Sequence, residues 1–416
     1  MRQHIRFLQS CLHFLTDTSY TWYMRWNHFI SRKNIFSLIA AVIFFTIAGV
    51  TGLLYKNTWV RSQVLSHENK VLTQNLHKTQ QELDSLKKEN QYVINQQNLE
   101  KIKQIQTTYK KAVTTYERLQ DLKAVGGKTE KLDELYARVL TYLAEENFSS
   151  GEAMLAMLAQ QIQSEKEKIS TPTQAGANTP VQNSAPGSGF SAQRVETDAG
   201  TFLVSIIAAD LASTKVIVDT ASDGDCKDNC PVLSLGDYVS RSGAFAGVNG
   251  TYFCPSSYPS CADKKNTFDV LVMNKNKVYF NSANNVYSEV PAVIFSGNSA
   301  RFVGKSLEWG RDKGVDAVIA NRPLLVSNGQ VAFGGSSGEA KENIRGGRSF
   351  VGASGSTAYI GVVFNASLDE AAKVLHTMGV QNAINLDDGG SVALWSSGYK
   401  AGPGRAIPNA ILFVHK

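Results

Sequence analysis

Ile35 to Tyr55 is a run of 21 residues without a charged side chain, and no other feature constrains the architecture of this chain so strongly. A helix of that length reaches about 30 Å, the thickness of a bilayer's hydrocarbon core. The run therefore reads as one transmembrane helix over 35–55. Arg2, Arg6, Arg25, Arg32 and Lys33 precede it against a single acidic residue, Asp17, so residues 1–34 are expected in the cytoplasm and everything after Tyr55 outside. A cleaved signal peptide is the rival reading, but the charged leader is long for one and no clear small-x-small site follows. Trp22, Tyr23, Trp26 and Phe29 suit the membrane interface, or a short amphipathic helix on the inner leaflet.

Residues 56–169 carry a helical signature. Leu65, Leu72, Leu86 and Val93 share one seam position and Leu76 and Leu83 the other, with Asn69 and Asn90 interrupting, which predicts a coiled coil and a parallel homodimer. The alternative is a single solvated helix. From Ile102 the pattern continues through Leu119 and breaks at Gly126-Gly127. Leu132, Leu135, Tyr136, Val139 and Leu143 mark a second helix, and Ser149 with Glu152 suggests a capping box for a third that reaches Ile169. These stripes read as packing surfaces of a stalk. Residues 170–192, with Pro172, Pro180 and Pro186 among small polar residues, read as a flexible linker.

Residues 193–416 alternate strand and turn signals, with one clear helix from Leu368 to Met378 capped by Ser367 and stopped at Gly379. The expected class is α+β: a strand-rich mixed domain with few helices, preceded by the transmembrane helix and the coiled-coil stalk. Cys226, Cys230, Cys254 and Cys261 form an even set on the outer side, consistent with two disulfides. Four cysteines allow three pairings, and the short separations favour Cys226 with Cys230 and Cys254 with Cys261. No metal site is expected: Asp223, Asp225 and Asp228 lack the calcium-loop pattern, because Lys227 intervenes and no glutamate closes it. A net charge of +6, not gathered into a strong basic block beyond the N-terminal region, argues against nucleic acid as partner.

The chemistry-bearing residues sit in glycine turns at strand ends. Asn385-Leu386-Asp387-Asp388-Gly389-Gly390-Ser391 places two carboxylates between an apolar run and a glycine hinge. Asn249-Gly250-Thr251-Tyr252-Phe253 repeats that arrangement after Ala244 to Val248. Arg348-Ser349 follows a Gly/Ser-rich loop, and Gly404-Arg405 to Asn409 precedes the last strand. Taken in order, "VNGTYF", "NRPLLVSNGQ", "GRSFVG", "NLDDGGSVALW" and "GRAIPNAILFV" resemble the phosphodiester glycosidase family over roughly residues 194–416. Three departures stand out: Thr251 replaces a glycine, Ser349 and Phe350 replace the residues after the motif's arginine, and Asp388 replaces the first glycine after Asp387.

The resemblance implies Asp387, Arg348 and Asn249 as the catalytic set. Asp387 would be the carboxylate serving an oxocarbenium-like transition state, and Arg348, with Arg405, would pair with phosphate oxygens. Asn249 would bind a sugar hydroxyl or orient Asp387. Gly250, Tyr252, Asn321, Arg322, Ser349, Asp388, Gly389, Gly390, Ser391 and Asn409 complete the expected substrate contacts. A second carboxylate beside Asp387 is expected to raise its pKa or to point away. The expected protein is a membrane-anchored, extracytoplasmic hydrolase of sugar-1-phosphodiester linkages in a surface glycopolymer or glycan, without an organic cofactor. An inactive carbohydrate-binding or envelope-organising module is the alternative.

Overall fold

The computed structural model describes residues 32–88, 90–169, 179–285, 289–334 and 343–416. The leader up to residue 31, with Cys11 and the interfacial aromatics, and residues 170–178 of the expected linker lie outside them. The chain divides into two compact units, Met1–Leu99 and Glu100–Lys416. In the first, helix α1 (Arg32–Lys88) passes the expected end of the span at Tyr55 without a break. No proline or paired glycine follows Tyr55 to stop it. This helix is long and apolar enough to cross a membrane. Its seam leucines Leu65, Leu72, Leu76, Leu83 and Leu86 are all exposed in the single chain.

Helix α2 (Asn90–Ala124) crosses into the second unit, where it packs with α3 (Glu130–Ala144) and α4 (Phe148–Ile169). Val139, Leu143 and Leu155 bury with Ala112, and Leu132, Leu158 and Ile162 with Leu119 and Leu122, so the apolar stripes are packing surfaces as read. The expected capping box at Ser149 does not form. Glu152 instead accepts from Thr108 and Lys111 on α2, and Asn147 Oδ1 takes the backbone N–H of Ser150.

The remainder is α+β. A seven-stranded sheet runs in spatial order β1 (Gly189–Thr197), β2 (Gly200–Asp210), β13 (Thr357–Ala366), β12 (Gly346–Ser354), β14 (Asn382–Asp388), β10 (Leu324–Ser327) and β11 (Gln330–Val331). A five-stranded sheet runs β16 (Tyr399–Ala401), β15 (Leu394–Ser396), β4 (Ala246–Asn249), β17 (Asn409–His415) and β3 (Thr214–Thr220). Another runs β6 (Tyr279–Phe280), β5 (Val272–Met273), β9 (Ala317–Ala320), β7 (Ala292–Ser296) and β8 (Ser299–Val303). The helices here are short: α5 (Leu235–Ser242), α6 (Ser282–Asn285) and α7 (Leu368–Thr377).

The period of two along β2 explains the layering. Val204, Ile206 and Ala208 face Leu368, Ala371 and Leu375 of α7, whereas Ile207 and Ala209 face the core shared with Val218, Val248 and Ile319 of the other sheets. Ser367 caps the start of α7, as its sequence predicts, and Glu370 closes a capping box with it. The strand system begins earlier than residue 193: β1 opens at Gly189, and Ala185 donates to the carbonyl of Met378. Small polar residues near Pro180 and Pro186 thus lie against the domain, held by hydrogen bonds rather than by apolar burial. Both favoured disulfides are present, Cys226 with Cys230 and Cys254 with Cys261.

Candidate active site

Asp387 and Asp388 end β14, beside Arg348 on β12, where Arg348 and Asp388 are register partners. This pairing requires Arg348 to lie within a strand, not in a loop. Asn249 ends β4 in the neighbouring sheet and donates through Nδ2 to the backbone carbonyl of Asp387 at 2.8 Å. The carbonyl of Gly250 accepts from the backbone N–H of Asp387 at 2.9 Å. Two strand ends from two sheets are thereby stitched together at the carboxylate.

Asp387 is a buried carboxyl with its pKa pushed up to about 8. Burial is the chief cause, the negative charge of Asp388 adds to it, and Ser391, Arg405 and the backbone N–H of Asp388 act against it. Near neutral pH the group is mostly protonated. Asp388 stands in the opposite situation: its Oδ2 accepts from Arg348 Nη1 at 2.7 Å, from the Tyr252 hydroxyl at 2.7 Å and from Asn385 Nδ2 at 3.0 Å. Burial and the charge of Asp388 drive the Tyr252 phenol well above its usual range, so it stays a donor. Adjacent carboxyls thus stand in unlike surroundings, Asp387 buried and Asp388 ion-paired with Arg348.

Arg348 is fully committed. Its Nε donates to the carbonyl of Ala366, Nη1 to Asp388 and Nη2 to the carbonyl of Ile344. The Gly-to-Asp replacement at position 388 supplies this partner, so Arg348 does not present a free fork to phosphate. Arg405 does. It stacks over Tyr258 at 5.0 Å, bonds Asp121 through Nη2, and leaves Nε and Nη1 buried without a hydrogen-bond partner.

Residues 242–414 match the family model described as phosphodiester glycosidase. This part of the chain is a phosphodiester glycosidase domain. Its family is hydrolytic and of the glycosidase type. Among solved structures, the chain is similar to the zebrafish N-acetylglucosamine-1-phosphodiester alpha-N-acetylglucosaminidase catalytic domain auto-inhibited by pro-peptide, at 15% identity and a TM-score of 0.41, covering 57% of this chain and 86% of that one. It is also similar to a hypothetical protein from Synechocystis at 13% identity and a TM-score of 0.38, covering 55% of this chain and 62%, under two thirds, of that one. No curated protein matches the sequence.

The glycosidase domain opens in a cleft of about 710 Å³ walled by Tyr252, Arg322, Arg348, Asp387, Asp388, Gly389, Ser391 and Arg405 among the residues expected to touch substrate. The other six expected contacts are absent from that wall and brace it instead. Asn249 and Asn409 are fully buried; Ser349 Oγ donates to Asn249 Oδ1, and Asn409 holds both the backbone and the hydroxyl of Thr251. Asn321 joins the carbonyl of Asn385 to the backbone N–H of Tyr252. Gly250 is glycine because a Cβ there would lie 1.8 Å from Asn409 Oδ1, and Gly390 because one would lie 2.2 Å from Arg405 Nη2. Asn249 is bonded to the Asp387 carbonyl and is absent from the cleft wall.

Reading of the sequence missed the opposite wall. Glu117, Arg118 and Asp121 on α2 and Lys166 on α4 line the same cleft, together with Tyr258 and Arg345. Tyr258 and Ser260, in the loop closed by the Cys254–Cys261 disulfide, donate to Asp121 and Glu117. The available signal was three charged residues at helical spacing, 117, 118 and 121, flanking the apolar stripe of Leu119 and Leu122.

Proposed function

We propose that this chain is a membrane-anchored, outward-facing hydrolase that cleaves sugar-1-phosphodiester linkages in a surface glycopolymer or glycan. The observation that carries this reading is the buried, mostly protonated Asp387 beside the ion-paired Asp388 in a cleft lined with cations. Asp388 Oδ1, on the cleft wall, is a buried acceptor without a donor, and a sugar hydroxyl supplies a donor of the right kind. Arg405 retains two unpaired N–H groups for phosphate oxygens.

In the reaction the bond between the anomeric carbon and the phosphate oxygen breaks, and water adds its oxygen to that carbon. Asp387 shares its proton with the departing oxygen, while the proton released by water passes to solvent. Phosphate monoesters lose their second proton near pH 6, so partial proton sharing suffices. Asp388 supplies the fixed negative charge against which the oxocarbenium-like state develops. This role replaces the expected one for Asp387 as the standing carboxylate, because its burial opposes ionisation.

Product analysis by NMR on defined glycosyl phosphodiesters tests the proposal. We expect free sugar plus phosphate monoester, with kcat/KM falling as pH rises through about 8, where Asp387 ionises. A rate that instead climbs through that range would return Asp387 to the role of base or nucleophile. A well-folded protein inert across a broad panel would favour the carbohydrate-binding module, for which the commitment of Arg348 to Asp388 is the supporting observation.

For the anchor and stalk, the proposed orientation places residues 1–34 in the cytoplasm. The exposed leucine seam of α1 supports a parallel homodimer. Crosslinking in membranes through cysteines introduced at Leu72 or Leu76 should trap dimers; recovery of monomers alone would remove that assignment.

A further inference from the structure

The cleft is built from two parts of the chain with different origins. The family match starts at residue 242, whereas Arg118, Asp121 and Lys166 come from the helices before it. Around the Asp121 carboxylate stand three cations: Arg405 bonded through Nη2, Lys166 at 3.8 Å, and Arg118, whose charge acts on Asp121. Asp121 and Glu117, the two carboxylates of this helix wall, number one fewer than the cations. Arg118 Nε and Arg405 Nε and Nη1 are buried without hydrogen-bond partners, and each such group forfeits its water without recompense. Burial pulls the Lys166 and Arg118 pKa values down, whereas at Arg405 burial is outweighed by the charge of Asp121 and its neighbours and the pKa rises, so the shortage of counter-charge falls on the two helix cations. A second cavity of about 340 Å³ shares Asp121, Lys166, Gly346, Gly347 and Gly389 with the main cleft, so space opens on both sides of this cluster.

We propose that Arg118 and Lys166 of the stalk helices, with Arg405 of the glycosidase domain, form the subsite for the substrate's phosphate, and that Asp121 holds this subsite while it is empty. The inference rests on the reading that the cleft takes a phosphodiester. A phosphate has the oxygens to satisfy the unpaired N–H groups, and its charge balances the surplus positive charge. A diester also carries a substituent on each side, matching cavities that meet at the cluster. The stalk is then a determinant of specificity as well as a spacer: substrates must present phosphate between helix and sheet.

The test measures anion binding by the full-length protein in detergent micelles, by titration calorimetry at fixed ionic strength. Inorganic phosphate represents the product and dimethyl phosphate the diester. We expect both to bind the wild type, Arg118→Gln and Lys166→Gln each to weaken binding about tenfold, and Arg118→Lys and Lys166→Arg to restore much of it. Asp121→Asn should tighten binding severalfold by removing the competing carboxylate. Equal affinity in wild type, Arg118→Gln and Lys166→Gln overturns the proposal, as does failure of both anions to bind the wild type. Failure of phosphate but not dimethyl phosphate assigns the subsite to diesters alone and supports it in that form. Because binding is read without turnover, a protein that binds phosphate as described yet hydrolyses nothing would remove the hydrolase reading and leave the subsite standing.

Discussion

The two walls of the cleft are built on opposite principles. On the sheet side, Asn249, Asn321, Ser349 and Asn409 are buried and bonded to the backbones or side chains of the facing turns, so each position is fixed by several contacts at once. On the helix side, Arg118, Asp121 and Lys166 are side chains projected from regular α-helix, and of these only Asp121 is bonded to the facing turns, while Arg118 keeps an unpaired donor. A wall fixed by backbone stitching preserves the geometry of bond breaking to fractions of an ångström. A wall of long charged side chains tolerates different occupants. The comparison assigns chemistry to the sheets and selection to the helices, and substitutions on the two sides should behave differently.

The largest effect is expected on the sheet side. Asp387→Asn should lower kcat by about a thousandfold or more, while the helix-side Arg118→Gln should act mainly on KM. Stability should move the other way. Folding raises the pKa of Asp387, so its contribution is complete below the unfolded value near 4 and is lost as pH rises through about 8. An amide does not ionise, so Asp387→Asn should be more stable than wild type by on the order of 5 kcal/mol at pH 8, with little difference at pH 4. Thermal melts at the two pH values check this. A variant that is inactive and equally destabilised at both would mean that Asp387 is structural.

Next in size is the stitching itself. Gly250→Ala puts a methyl group against both the side chain and the carbonyl of Asn409, and backbone cannot retreat as a side-chain tip can. A loss of about 3 kcal/mol is expected in denaturant titration, together with loss of activity, because the Gly250 carbonyl holds Asp387. Replacing Cys254 and Cys261 together with serine should cost about 2 kcal/mol, the closure entropy of a short loop. It should also loosen Tyr258 and so reduce phosphate affinity more than kcat. Loss of kcat alone would place the disulfide loop on the chemical side of the comparison.

The same contrast decides what the sequence could reveal. Glycine turns after apolar runs mark strand ends that carry function, and Asp387, Asp388, Tyr252 and Arg405 were legible because such turns leave a local signal. The Ser367 cap of α7 and the two disulfides were legible for the same reason: partners lie within a few residues. What escaped was set at long range. Asn249, Asn321 and Asn409 look like ligand-facing amides until the opposing strand is known to consume both ends of each. The helix-side wall escaped altogether, since Asp121 meets Arg405 across 284 positions and its stripe carries the periodicity of an ordinary packing face. Arg348 was found but misread: its neighbour on the next strand, more than its own motif, determines that its charge is spent on Asp388.

The smallest expected effect tests how the two adjacent carboxyls share one wall. In Asp388→Asn the remaining carbonyl oxygen still accepts from Arg348, Tyr252 and Asn385, so the fold should persist, while the negative charge next to Asp387 disappears. That charge raises the Asp387 pKa, and its removal should move the alkaline fall in kcat/KM toward lower pH. Burial is the larger cause, however, and the substitution leaves it in place. The shift should therefore stay under about one pH unit. A shift of two units or more would mean that the carboxyl pair, rather than the buried environment, sets the acid. No shift at all would mean that the Asp388 charge is already cancelled by Arg348, and the glycine-to-aspartate change would then serve to hold the arginine and would leave the proton donor untouched.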